Sequence, residues 1–181
     1  MMHYIFGYES PLGGMTMAGD GERLVGLWFN GQKYFAAGLT DGCAESDLPV
    51  FERAREWLEL YFSGRDPGFV PPLRTDGMSA FRKAVTEIML GIPFGRVTTY
   101  GEIAKRIERD TGRKTSARAV GGAVGHNPLS LIVPCHRIVG AGGAVTGYAG
   151  GVDKKLALLR LERADLFSPI PAGELSPRRL Q

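Results

Sequence analysis

The chain is poor in the residues that disulfide and soft-metal chemistry require. Its 181 residues include two cysteines, Cys43 and Cys135, and three histidines. Two cysteines cannot build a disulfide-dense scaffold, and their scarcity points to a reducing, cytoplasmic setting. Nor do they form a metal-ligand cluster at usable spacing with the histidines, so no metal is expected. No apolar run approaches the roughly 20 residues that a bilayer span needs. The opening MMHYIFGYESPLGG lacks the basic and long apolar regions of an export signal. No G-x-G-x-x-G follows a strand: the glycines at 140, 142, 143, 147, 150 and 151 do not fit that fingerprint, and a Walker lysine pattern is absent. A nicotinamide or S-adenosylmethionine site of Rossmann type is therefore unsupported, and no cofactor is expected. What is present is ordinary for a globular protein, 44% hydrophobic and 23% charged. The length allows one domain or two small ones.

The net charge of +3 hides an uneven distribution. Residues 1–77 carry 6 Lys/Arg against 11 Asp/Glu, residues 78–166 carry 14 against 7, and residues 167–181 carry 2 against 1. An acidic first part and a basic second part suggest two domains, the second facing something anionic. A solvated surface that happens to be uneven would give the same counts.

Short β-type runs at Tyr4–Tyr8, Met15–Ala18 and Arg23–Phe29 are separated by Pro11-Leu12-Gly13-Gly14 and Gly19-Asp20-Gly21, which is turn chemistry. After a loop to Leu48, Pro49 suits a first helical position. Phe51, Ala54, Leu58, Tyr61 and Phe62 then recur at helical spacing, with Gly64 as a C-terminal cap. The first domain, residues 1–73, reads as a small antiparallel sheet with at least one helix, and Asp66–Gly77 as a proline-rich linker. The second domain, residues 78–166, opens at Ser79 as an N-cap, with Phe81, Ala84, Val85 and Ile88 in a stripe that ends at Gly91. Thr99 and Glu102 have capping-box spacing ahead of Ile103, Ala104 and Ile107. Ser116 can cap a third helix, Ala117–Gly125. The second and third helices fit a helix-turn-helix or a generic helical pair. A Gly-rich loop spans Gly140–Gly151, a last helix runs from Val152 to Ala164, and residues 167–181 read as a disordered tail.

Two segments carry chemistry. Ala117–Gly125 holds three glycines, three alanines and one arginine, although each interior glycine costs about 1 kcal/mol relative to alanine. Such a bare surface suits either close helix packing or a narrow DNA minor groove, where Arg118 is the one side chain long enough to enter the base stack. In Pro134-Cys135-His136-Arg137, a thiol stands beside a base and a cation, the surroundings that lower a thiol pKa. An extended backbone would point Cys135 and His136 to opposite faces, so a turn or a bridging water is needed. Glu162, the lone acid in an apolar stretch, is the candidate to orient His136. An inert buried thiol is the alternative for Cys135. On the residues alone an activated cysteine nucleophile, as in a Cys–His–Glu hydrolase, and a DNA-binding regulator both stay open.

Pro134-Cys135-His136-Arg137-Ile138-Val139 resembles the active-site signature of the O6-alkylguanine-DNA alkyltransferases. The resemblance runs from Ile92-Pro93-Phe94-Gly95-Arg96-Val97 and Tyr100 through Arg118–Ala123, Asn127-Pro128 and Tyr148-Ala149-Gly150-Gly151 to Glu162. The first domain resembles the family mainly in Pro11-Leu12-Gly13. The resemblance implies an α/β (α+β) fold: a ribonuclease-H-like antiparallel sheet with helices, then a winged-helix-like domain containing the helix-turn-helix. It implies a single-turnover repair protein that flips O6-alkylguanine out of duplex DNA and moves the alkyl group irreversibly to its own cysteine. O4-alkylthymine is left open as a second substrate. Cys135 would be the acceptor, His136 its base through a water, Glu162 the group orienting His136, and Asn127 the brace of the turn. Tyr100 would donate a proton to the departing guanine and crowd the backbone phosphate. Arg118 would fill the hole in the stack, with Ala119, Gly121 and Gly122 lying in the groove. Ile138, Tyr148, Ala149, Gly150 and, at the edge, Lys155 would line the base pocket. The carbonyls of Cys135 and Ile138 would face the guanine amine. Ala149 stands where some members carry serine, and the cysteines and histidines of the zinc-bearing members are missing. The expected partner is double-stranded DNA, bound in the minor groove without sequence preference by a monomer, with no membrane contact.

Overall fold

The computed structural model describes residues 2–39 and 42–179. The chain forms two compact units. The first takes the chain up to Asp76 together with Pro128–Ile132; the second takes Gly77–Asn127 and the chain from Val133 onward.

In the first unit, β1 (Tyr4–Ser10) and β2 (Gly13–Gly19) form a hairpin with Ser10 opposite Gly13 and Tyr4 opposite Gly19. Gly13, at φ 110°, supplies the positive φ that the tight turn requires. Strand β3 (Leu24–Phe29) returns antiparallel to β2, with Met15 opposite Phe29. The turn before it is held by Asp20, whose carboxylate accepts from the N–H groups of Glu22 and Arg23 at 3.1 and 2.8 Å. A two-residue strand, β4 (Ala44–Glu45), adds parallel to β1, giving the order β3-β2-β1-β4. It lies in the stretch expected to be loop, because two residues are too few to show a period of two. Helix α1 (Pro49–Phe62) packs on β1 and β2 through Phe51, Ala54 and Leu58, all fully buried with Met17, Leu27 and Tyr61. Gly26 has no side chain because the Trp28 ring covers it: a Cβ there would lie 1.7 Å from the ring.

The outer edge of β3 is closed by segments distant in sequence. Leu24 N–H donates to Pro72 O and Arg74 N–H to Leu24 O, both at 2.8 Å. Leu27 N–H donates to Pro128 O at 2.8 Å, and Ser130 N–H to Leu27 O at 2.9 Å. These bonds explain why Pro128–Ile132, expected within a continuous 78–166 domain, belongs to the first unit, and why part of the expected linker pairs with β3.

In the second unit, α2 (Ala80–Leu90), α3 (Tyr100–Thr111) and α4 (Ala117–Gly125) pack on one another. Ser79, Thr99 and Ser116 accept at their N-termini from Arg82, Glu102 and Ala119 N–H at 3.3, 3.1 and 3.1 Å, as their spacing predicts. Gly112, at φ 68°, ends α3 in the left-handed conformation. Strand β5 (Thr98–Thr99) pairs parallel with β6 (Ile138–Val139). Helix α5 (Val152–Leu161) is shorter than expected. Arg163, at φ 52°, ends it, with Ala164 N–H reaching back to Leu159 O at 2.9 Å in a Schellman-type closure.

Within residues 167–179, expected as a disordered tail, residues 170–178 are instead tied to this unit. Ile170, Ala172 and Leu175 are 7%, 4% and 2% exposed. The Ser/Pro-rich composition masks these three buried apolar side chains. Leu180 and Gln181 lie outside the described residues. No helix among the described residues is long and apolar enough to cross a membrane.

Candidate active site and nucleic-acid interface

Cys135, His136 and Arg137 form one turn of 3-10 helix between Pro134 and β6, so the turn that their adjacency demands is present. Cys135 N–H donates to Val133 O at 2.8 Å and Arg137 N–H to Pro134 O at 3.0 Å. Asn127 braces the turn: its amide donates to Val133 O at 2.8 Å, and it also hydrogen-bonds Cys135. All four side chains are buried.

His136 Nε2 lies 2.6 Å from Glu162 Oε1. A carboxylate only accepts, so Nε2 carries the proton and Nδ1 is the basic nitrogen. Glu162, fully buried at the C-terminal end of α5, is held from three further directions. Arg137 Nε donates to Oε2 at 2.9 Å, Arg137 Nη2 to Oε1 at 3.1 Å, and Gly95 N–H to Oε2 at 3.0 Å. The Arg137 fork also donates through Nη1 to Ile92 O at 2.6 Å. Burial opposes ionisation of Glu162, but His136 and the Arg137 guanidinium outweigh it and hold the carboxyl well below the usual range. For His136 burial dominates over the attraction of Glu162, so its pKa falls and the ring rests neutral.

The contacts of Arg137 and Gly95 with Glu162 are not visible from spacing alone. A buried acid in an apolar stretch needs a cation, and the arginine two residues beyond Cys135 was the available signal.

Lys155, expected at the edge of a base pocket, is fully buried, and its three N–H donors are taken. It donates to Ile138 O at 2.5 Å, Thr146 O at 2.9 Å and Gly147 O at 3.1 Å. It ties the glycine-rich loop to β6 because a buried ammonium needs every donor satisfied. Burial lowers its pKa to about 8. The Ile138 carbonyl thus holds one bond already, and that of Cys135 accepts from Ile138 N–H. Each keeps a second lone pair. Tyr148, Ala149 and Gly150 are half-buried in the same loop.

Burial pushes the Cys135 thiol above its ordinary value. The Asn127 bond, the Lys155 charge and the N–H groups of Cys135 and His136 pull the other way without overcoming it. The sign gives a test. Below its raised pKa the thiol keeps its proton, and near pH 8 the loss of the Lys155 charge removes one stabiliser of the thiolate. Alkylation of Cys135 by iodoacetamide should therefore keep accelerating with pH, with no plateau below the ordinary thiol value of 9.0. A plateau near neutrality would mean a resting thiolate.

Tyr100 opens α3. Burial, and secondarily the charge of Cys135, raise its phenol pKa, so it stays protonated. The Lys155 ammonium lies 6.0 Å from its ring centroid.

Helix α4 buries Val120 and Val124 and exposes Arg118, Ala119 and Gly122. Its glycines are not required by packing within the chain. A Cβ at Gly122 or Gly125 would meet nothing within 4 Å, and one at Gly121 would make only ordinary contact with the Tyr100 ring at 3.8 Å. Among the described residues, no group of three or more His, Cys, Asp or Glu is placed to hold a metal ion.

Two family descriptions match the chain: 6-O-methylguanine DNA methyltransferase, ribonuclease-like domain, over residues 2–75, and its DNA binding domain over residues 80–164. The methylated-DNA–protein-cysteine methyltransferase of Haemophilus influenzae is 39% identical over 163 residues, 90% of this chain and 87% of its own length. That of Mycobacterium tuberculosis is 41% identical over 164 residues, 91% and 94% of the two chains. The crystal structure of Mycobacterium tuberculosis OGT in complex with DNA superposes with a TM-score of 0.76 at 39% identity, covering 90% of this chain and 93% of that one.

Proposed function

The chain belongs to the 6-O-methylguanine DNA methyltransferase family, and from that premise we propose that it repairs alkylated DNA by moving an alkyl group from guanine O6 to Cys135. Cys135 Sγ attacks the alkyl carbon and a C–S bond forms as the C–O bond breaks. The thiol proton passes through a water to His136 Nδ1, and Glu162 stabilises the imidazolium that results. The departing guanine takes a proton from the Tyr100 phenol, which burial keeps available. The thioether is not reopened, so each molecule acts once.

The single observation that carries this reading is the buried Cys135–His136–Glu162 set, with His136 and Glu162 joined at 2.6 Å. Duplex recognition falls to α4. Ala119, Gly121 and Gly122 offer a surface flat enough for the minor groove, and Arg118 takes the place of the extruded base, whose flipping costs a few kcal/mol. Tyr148, Ala149, Gly150 and Ile138 wall the flipped base, and Lys155 sets that wall from behind.

A duplex carrying O6-methylguanine with a labelled methyl group tests the proposal. Uptake should rise to one label per molecule, on Cys135, and stop. Continued turnover would instead indicate a hydrolase. With Arg118→Ala, transfer from duplex should slow by roughly 10- to 100-fold, the worth of a few kcal/mol. Reaction with free O6-benzylguanine, which needs no flipping, should change little. Equal losses on both substrates would remove Arg118 from the flipping step.

A further inference from the structure

The family match on the second unit ends at residue 164, yet the chain beyond it is built into the unit. Ile170 grips the chain where it leads into β5: its N–H donates to Val97 O, and its carbonyl accepts from Thr98 Oγ1, both at 2.8 Å. Ala172 N–H donates to Glu102 Oε2 at 2.7 Å, so Glu102 turns to the tail rather than completing a capping box with Thr99. Arg106 donates to Leu175 O, and Arg178 N–H donates to Glu87 O at 2.8 Å. Gly91 adds an independent sign of close fit. Its φ of −82° suits any residue, but a Cβ there would lie 1.8 Å from Ser176 O. One short segment therefore holds the end of α2, the start of β5 and the first turns of α3. Tyr100 follows directly on Thr98–Thr99, and β5 is paired with β6, the strand that leaves the Cys135 turn.

We propose that residues 167–179 are a strap that positions Tyr100 for proton donation to the departing base. The proposal rests on the alkyl-transfer reading. Proton transfer requires hydrogen-bond reach, and a misplacement of about 1 Å can cost on the order of 10²-fold in rate. Without the strap, the Val97 carbonyl and the fully buried Thr98 hydroxyl lose their partners, and the start of α3 is free to shift.

The test compares the full chain with one ending at Ser168, each with Tyr100 and with Tyr100→Phe. The readouts are transfer from free O6-benzylguanine and alkylation of Cys135 by iodoacetamide. Truncation should slow transfer by about tenfold or more with Tyr100 present and by less than about twofold in Tyr100→Phe, a non-additive cycle. Iodoacetamide reactivity should hold, and a synthetic peptide of residues 168–179 should restore transfer. Gly91→Ala, which keeps the tail but displaces it at Ser176, should reproduce the effect even if the truncated chain folds poorly. Equal proportional losses in both Tyr100 backgrounds, or unchanged transfer, would overturn the strap. A full chain that transfers nothing would overturn the alkyl-transfer reading itself.

Discussion

Cys135→Ser is expected to take up no labelled alkyl group, while its affinity for duplex DNA stays within about twofold of the parent. The site is arranged around a thiol. Asn127, the Lys155 ammonium and two backbone N–H groups all favour the anion, and even so burial keeps the sulfur protonated. A hydroxyl is a much weaker acid than a thiol, so the same groups fall far short of making an alkoxide there. Binding should survive because the proposed duplex-binding surface, Arg118 and the exposed face of α4, does not include the thiol. The measurement is label incorporation on an O6-methylguanine duplex, run beside a binding titration on the same DNA. Label still taken up by the Cys135→Ser variant would move the acceptor elsewhere. Lost binding would show that the Cys135 turn supports the duplex-binding surface.

Glu162→Ala should be the most destabilising single change near the site, at about 3–5 kcal/mol, because it leaves the buried Arg137 guanidinium without its carboxylate. It also strands Gly95 N–H and frees the His136 ring. Against a whole-domain stability of roughly 5–15 kcal/mol this is a large share. In a unit of this size the midpoint should drop by at least about 12 °C. The cost comes from breaking the pair, so removing both partners in Arg137→Met with Glu162→Leu should recover much of it while transfer remains crippled. Thermal unfolding of the three proteins checks the first claim and the transfer assay the second. The pH dependence has a definite sign. The Glu162 pKa is depressed, so its contribution is fully present above the ordinary value of 4.5. That contribution is lost only as pH falls well below the usual carboxylate range.

The elements that their own residues specify locally were legible. Ser79, Thr99 and Ser116 announce helices because a capping hydroxyl acts within three residues, and Gly13 announces a hairpin because its φ is positive. Cys135, His136 and Glu162 could be joined on paper because a thiol, a base and a buried acid each need the next. What escaped depends on partners distant in sequence. Strand β4 exists only because β1 offers an edge. Pro128–Ile132 belongs to the first unit through two bonds to Leu27. Arg137 was visible as a cation, but its fork on Glu162 spans 25 residues. Lys155 looked like a pocket residue until three carbonyls accounted for all its donors. The tail misleads through composition, since Pro169, Pro171 and Pro177 hide the burial of Ile170, Ala172 and Leu175.

Helix α4 bears on how this protein has been shaped. With empty space where a methyl group at Gly122 would go, alanine there would gain helix propensity at no steric cost, about 1 kcal/mol for an interior position. A chain selected for stability alone would have taken that gain. On the proposed minor-groove role, the stability forgone is what selection gives up to keep the helix able to approach duplex DNA closely.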